Sequence, residues 1–153
     1  MTTTREIVSG NKQYIFPESA CALYTGDSSI SGLLLIEQWR STHNKLTLEL
    51  PGGKLEPGET PEIAAIRELF EEAGVNAEKA KLLVSLDLDL SVSKHRTHLV
   101  RTFSTVQRND SIARANVKMY SLDQAWGLVE LGSITHAPTV VAILMLLRGE
   151  INA

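Results

Sequence analysis

The sequence is short of the features that most quickly place a protein. It has one cysteine, Cys21, so no disulfide can form within the chain. That cysteine lies in the apolar run SACALY and reads as a reduced core position with no partner for nucleophilic work. There is no excess of either charge: 15 basic residues face 18 acidic ones, for a net charge of −3. Neither nucleic acid nor an anionic membrane surface is therefore expected as a partner. The longest apolar run, VVAILMLL, is too short to span a bilayer and reads as a helix packed all round. The first residues, MTTTREIVSG, lack the apolar stretch of a secretory signal, so a cytoplasmic protein is expected. No repeat, low-complexity tract or linker divides the chain, and its 153 residues suit one domain over 1–153.

Short runs of β-forming residues separated by turn residues predict strands at QYIF, ACALYT, GLLLIEQWR, LTLEL, KLLVSLDLDLSV, THLVRTFSTV and VKMYSL. Helical periodicity covers residues 60–73 and 136–148, and LDQAWGLVELG predicts a shorter helix ended by Gly132. Strands and helices do not alternate regularly, which predicts an α+β fold with helices covering a mixed sheet.

The stretch LPGGKLEPGETPEIAAIRELFEEAGV raises a question of charge. Thr60 suits an N-cap, Pro61 the first turn and Gly74 the position just past the helix. Between them Ile63, Ile66, Leu69, Phe70 and Ala73 are expected to be buried, with Glu68, Glu71 and Glu72 clustered on the opposite face. Like charges three and four apart repel by a few tenths of a kcal/mol per pair, roughly. They also occupy the helix end where the dipole disfavours anions. A solvated acidic face leaves that placement, and the Gly-Gly loop beside it, without a reason. A divalent cation supplies one: hard oxygen ligands on one helical face can bind magnesium, which in turn binds phosphate.

Gly53, Glu59, Arg67-Glu68-Leu69, Glu71-Glu72 and Gly74-Val75 stand at spacings that resemble a complete Nudix box. The resemblance implies an α/β/α sandwich with a mixed sheet between helices. It also implies metal-dependent hydrolysis of a nucleoside diphosphate linked to another group. Glu68 and Glu72 would be the principal metal ligands, with a carbonyl of Gly52 or Gly53 completing the set. Glu71 would bind a further metal or act as base, and Glu59 with Arg67 would hold the loop against the helix. Magnesium is the implied cofactor, with manganese a substitute.

The flanks LLLIEQWR, LELPGGKLEPGE and SLDQAWGLVELGSITHAPTVVAILMLL are similar to the ADP-ribose pyrophosphatase branch. That similarity implies that Arg40 lies near the substrate phosphates, with Glu37 and Gln38 as neighbours. It also implies a homodimer in which residues 1–17 pack on the partner. Two departures stand out. LDLDLSVSKHRTH lacks the Pro-Gly turn of ADP-ribose-specific members. The late loop QRNDSIARANV offers only Asp110 where that branch often supplies a catalytic glutamate, so the base is Glu71 or Asp110. Cleavage of nucleoside triphosphates, damaged ones included, remains an alternative, as does a domain that senses a nucleotide without cleaving it. Trp39 reads as a packing residue. Lys94, His95 and Arg96 could touch phosphate. His95 and His98 do not suit a shared metal, and His136 opens the last helix without an evident partner.

Overall fold

The computed structural model describes residues 4–8, 11–26, 32–104, 116–149 and 151, with side chains from Tyr14 onward. Among these described residues nine strands and three helices follow in order: β1 (Thr4–Val8), β2 (Asn11–Ile15), β3 (Ser19–Leu23), β4 (Gly32–Arg40), β5 (Lys45–Glu49), β6 (Gly52–Lys54), α1 (Pro61–Ala73), β7 (Lys79–Asp87), β8 (Arg96–Phe103), β9 (Val117–Ser121), α2 (Leu122–Glu130) and α3 (Ala137–Leu147). β6, β3, β8 and β7 form a mixed sheet in that order, with β3 and β8 parallel. β5, β4 and β9 form an antiparallel sheet, and β1 pairs with β2. The two larger sheets meet where the Leu34 N–H donates to the Tyr24 carbonyl at 3.0 Å.

Alternation along the strands sorts the core into two layers. Ala20 and Ala22 of β3 and Leu34 and Ile36 of β4 pack with Ala64, Ala65 and Leu69 of α1. Their alternate neighbours, Cys21, Leu23, Leu33 and Leu35, pack with Ala125 of α2 and Ala142 and Ile143 of α3. The run LLLI is apolar throughout because both of its faces are covered. Helices on both sides of mixed strands make the α/β/α sandwich expected of the sequence.

α1 begins and ends where its capping residues place it. Thr60 accepts from the Ile63 N–H, and Gly74 takes the left-handed conformation with φ 69°. Its buried face differs from expectation. Ala64, Ala65, Leu69 and Ala73 are buried, while Ile63 and Phe70 are exposed. At about 100° per residue, Ile63 and Phe70 fall roughly 160° and 140° from Ala65, whereas Glu72 falls only about 20° away. Alanines on the helix and on β3 permit close approach, so the inner arc is built of small residues and the carboxylates sit on its edge.

Two further elements depart from the sequence reading. β7 stops at Asp87, because Asp89 turns the chain by accepting from the Ser91 N–H (3.1 Å) and hydroxyl (2.6 Å). α3 is not packed all round: Leu144 and Leu147 are exposed. The N-terminal segment is anchored as well as paired, since the Tyr14 N–H donates to the Val92 carbonyl (2.9 Å) and its carbonyl accepts from the Lys94 N–H (3.0 Å). Among the described residues no helix is long and apolar enough to cross a membrane.

Candidate active site

The short strand β6 brings the Gly-Gly loop against α1. It pairs antiparallel with β3, with Cys21 opposite Gly52 and Ala20 opposite Gly53. Both glycines are needed for space. A Cβ on Gly52 would lie 2.5 Å from the Ala20 carbonyl oxygen, and one on Gly53 would lie 2.3 Å from Glu68 Oε1. The loop therefore touches the carboxylate side of the helix directly.

Glu72 is held by this loop. Its Oε2 accepts from the Gly52 N–H and its Oε1 from Gln38 Nε2, both at 2.9 Å. Burial pushes its carboxyl above the ordinary carboxylate range, and the nearby Glu68 adds to the shift, against the opposing Gly52 hydrogen bond. Glu68 lies one turn earlier with its side chain 12% exposed, and Glu71 is open to solvent at 55%. Arg67 reaches Glu68 at 2.7 Å and Glu71 at 3.4 Å through Nη1.

Arg67 also joins helix to loop. Its Nε and Nη2 donate to the two oxygens of Glu59 at 2.8 and 2.9 Å, and Nη2 donates to the Lys54 carbonyl at 3.0 Å. This pairing holds the Glu59 carboxyl down at about 2 and pushes the Arg67 guanidinium above its ordinary value.

Among the described residues no three acidic, imidazole or thiol groups converge tightly enough to enclose a metal in this arrangement. Each inward carboxylate is turned to a proton donor instead: Glu68 to Arg67, Glu72 to Gly52 and Gln38. The donor set still fits a hard divalent cation. Glu68 and Glu72 are one turn apart, partly desolvated, mutually repelling, and beside a loop that only glycine fits.

Arg40 ends β4 on the same sheet face as Gln38. It does not stand alone: Nε and Nη2 donate to the two oxygens of Glu49 at 2.8 and 2.5 Å. Glu49 is buried at 3% exposure and takes a further hydrogen bond from the Thr47 hydroxyl at 2.5 Å. Burial pushes its carboxyl up, but the Arg40 and Thr47 hydrogen bonds outweigh that and leave it below its ordinary value. His136 has partners after all, with Nδ1 2.8 Å from the Thr139 hydroxyl and Nε2 3.9 Å from Glu49. Glu49 was the carboxylate missed in the sequence. The signal lay in LTLEL, which puts Thr47 and Glu49 on one face of β5, just ahead of the Gly-Gly loop.

Other sequence candidates fall elsewhere. Glu37 lines a separate hollow of about 270 Å³ with Leu46, Leu48 and Ser133. Trp39 is not a packing residue within the chain: it is 59% exposed beside its cross-strand partner Leu46, also 59% exposed. Arg96 pairs with Asp87 at 3.0 Å, and His95 Nδ1 meets the Pro17 carbonyl at 2.9 Å. These contacts of the basic run do not reach the carboxylates of α1. His98 lies between Ser85 Oγ and Glu18 Oε2, 2.8 Å from each. Cys21 lies under the loop, its thiol pushed up to about 12 by burial and by Glu49 and Glu72, so it is inert. Asp110 lies outside the described residues.

Comparison with known proteins bears on the fold and the family. A methanol dehydrogenase activator of Bacillus methanolicus is 28% identical over 116 residues, covering 72% of this chain and 63% of the relative. An ADP-ribose pyrophosphatase of Bacillus subtilis is 30% identical over the same length, with the same coverage of each. The chain thus spans 63% of the length of these curated relatives. A solved structure described as an ADP compounds hydrolase superposes over 94% of this chain and 80% of its own, with a TM-score of 0.72 at 21% identity, and shows the same fold. The NUDIX domain profile matches residues 16–140, from the end of β2 through the carboxylate helix to the first turn of α3, and the chain belongs to that family.

Proposed function

We propose that the protein is a pyrophosphohydrolase that cleaves the diphosphate link of ADP-ribose or another nucleotide sugar. The observation that carries this reading is the pair Glu68 and Glu72, set one turn apart against a Gly-Gly loop that touches them both. The named activity of the Bacillus subtilis relative and the description of the structural neighbour support the substrate class.

Glu68, Glu72 and a carbonyl of Gly52 or Gly53 would hold magnesium, with manganese as a substitute, and Glu71 could hold a second ion. When bound, the cation neutralises phosphate charge and acidifies water. Glu71 is exposed and, among the described residues, meets Arg67 at a long 3.4 Å, which leaves it able to accept the proton of the attacking water. Water adds to phosphorus as the bridging P–O bond breaks, giving a nucleoside monophosphate and a phosphorylated sugar. Arg40 binds a phosphate oxygen, and the Arg67–Glu59 pair keeps the loop and helix in register. Gly53, with no Cβ, leaves Glu68 room against the loop, where its carboxylate can share a cation with the substrate phosphates.

A second reading, cleavage of nucleoside triphosphates, is favoured by one feature. The β7–β8 turn is built by Asp89 and serines rather than by a Pro-Gly pair. Incubation with magnesium and a panel of nucleotides, followed by product analysis, separates the two. AMP and ribose 5-phosphate from ADP-ribose are expected. Pyrophosphate released only from triphosphates would replace the first reading with the second, and no product from any nucleotide would leave a sensing domain.

We further propose a homodimer in the cytoplasm. The two-stranded β1–β2 ribbon is marginal by itself, and Trp39 and Leu46 form an exposed apolar pair. A reduced, buried Cys21 suits a reducing compartment. Neither nucleic acid nor membrane is a partner in this reading.

A further inference from the structure

The Arg40–Glu49 pair is unequal. The Glu49 side chain is 5% exposed and that of Arg40 is 45% exposed. The buried member is also the more firmly held. Thr47 donates to it, and His136 stands 3.9 Å away on the far side. His136 is itself fixed through Thr139, whose hydroxyl accepts from the Leu50 N–H at 3.0 Å and is wholly buried. The end of β5 and the start of α3 thus combine to fix one carboxylate.

An ion pair that served stability alone would have little need of this. Ile36, the cross-strand partner of Glu49, is apolar, and burying a charge costs more than it returns unless its geometry is excellent. What the arrangement does provide is orientation. A guanidinium has five N–H groups, and Glu49 takes the Nε edge and one hydrogen of Nη2. Three N–H groups remain, two on Nη1 and one on Nη2, enough to grip a phosphate end-on. Gln38, two residues earlier on the same face, already reaches Glu72. Alternate residues of β4 therefore run from the metal-binding carboxylates to Glu49.

We propose that Glu49 is a positioning residue that fixes Arg40 for the substrate phosphate. The inference rests on the reading of Arg40 as a phosphate contact. Without Glu49, Arg40 must be immobilised at the moment of binding, and the loss falls on affinity rather than on chemistry.

Steady-state kinetics with magnesium and ADP-ribose test this on Glu49→Gln, Arg40→Ala and the double variant. Glu49→Gln should raise KM about five- to tenfold and leave kcat within about twofold, the scale of ordering one long side chain. Arg40→Ala should raise KM at least as much, and the double variant should be no worse than Arg40→Ala alone, because Glu49 acts through Arg40. An unchanged or lower KM for Glu49→Gln would overturn the proposal, as would effects that multiply in the double variant. If Glu49→Gln does not fold, Thr47→Val keeps the pair but loosens the carboxylate. It should raise KM about twofold, and no rise would count against the proposal. Should the wild type cleave no nucleotide, the hydrolase reading falls, and calorimetric binding of inorganic pyrophosphate with magnesium decides instead. Weaker binding by Glu49→Gln supports the positioning role, and equal binding refutes it.

Discussion

Arg67 grips Glu59 with two hydrogen bonds, 2.8 Å from Nε and 2.9 Å from Nη2, and so closes the loop that runs from the Gly-Gly turn to the carboxylate helix. The same guanidinium reaches the Lys54 carbonyl and Glu68. One side chain therefore sets the distance between the loop and the carboxylate face of the helix. Arg67→Ala should lower activity by at least about a hundredfold and also lower the melting temperature, since it leaves Glu59 and Glu68 without their shared cation. Calorimetry and turnover measured on the same preparation check both. Full activity in a folded Arg67→Ala protein would contradict the role.

The depressed Glu59 carboxyl gives a pH signature. Its folded value of about 2 lies below the 4.5 of an ordinary glutamate. The stabilisation is therefore complete above the unfolded value and is lost as pH falls toward the folded one. Between pH 4.5 and 2 the wild type should lose stability more steeply than Glu59→Gln. Denaturation midpoints across that range are the measurement, and parallel curves would refute the pairing in solution.

The two glycines should separate stability from activity. A methyl at Gly52 would meet the Ala20 backbone, which cannot move without disturbing β3, so Gly52→Ala should cost about 1–3 kcal/mol of stability. A methyl at Gly53 would meet the flexible end of Glu68. Gly53→Ala should therefore fold with little change in melting temperature and lose activity by displacing that carboxylate. Equal losses of stability in the two variants would show that Gly53 is only a packing residue.

Assembly can be tested through Trp39. Light scattering at micromolar concentration should give the mass of a dimer, and Trp39→Glu should weaken it by placing a charge in an apolar contact. A monomer mass for the wild type would refute the homodimer.

Much of this was legible in the sequence because local chemistry and the final fold agree. Thr60, Pro61 and Gly74 mark the ends of α1, and the alternation in LTLEL marks β5. What could not be read was set by tertiary contact. β6 is GGK, a sequence with no strand preference, and it is extended only because β3 pairs with it. Ile63 and Phe70 suggested the buried face of α1 by size, but the close fit to Ala20 and Ala22 selected the alanine face. Asp89 stopped β7 through side-chain hydrogen bonds inside a run that alternates like a strand. At the site, the box residues were legible from their spacing. The Glu49 bracket was not, because its partners come from β4, β5 and α3.

The account depends most on Glu72 as a metal-binding carboxylate, and Glu72→Gln tests it most directly. The substitution keeps shape and removes one of three crowded charges; its amide oxygen can still accept from the Gly52 N–H, and its NH2 can donate to Gln38 once that amide turns over. Hydrolysis of ADP-ribose and the thermal shift on adding magnesium should be measured on the same variant. Activity should fall by at least about a hundredfold, the metal-free melting temperature should hold or rise, and magnesium should stabilise the variant less than the wild type. An active variant with unchanged magnesium dependence would contradict the account.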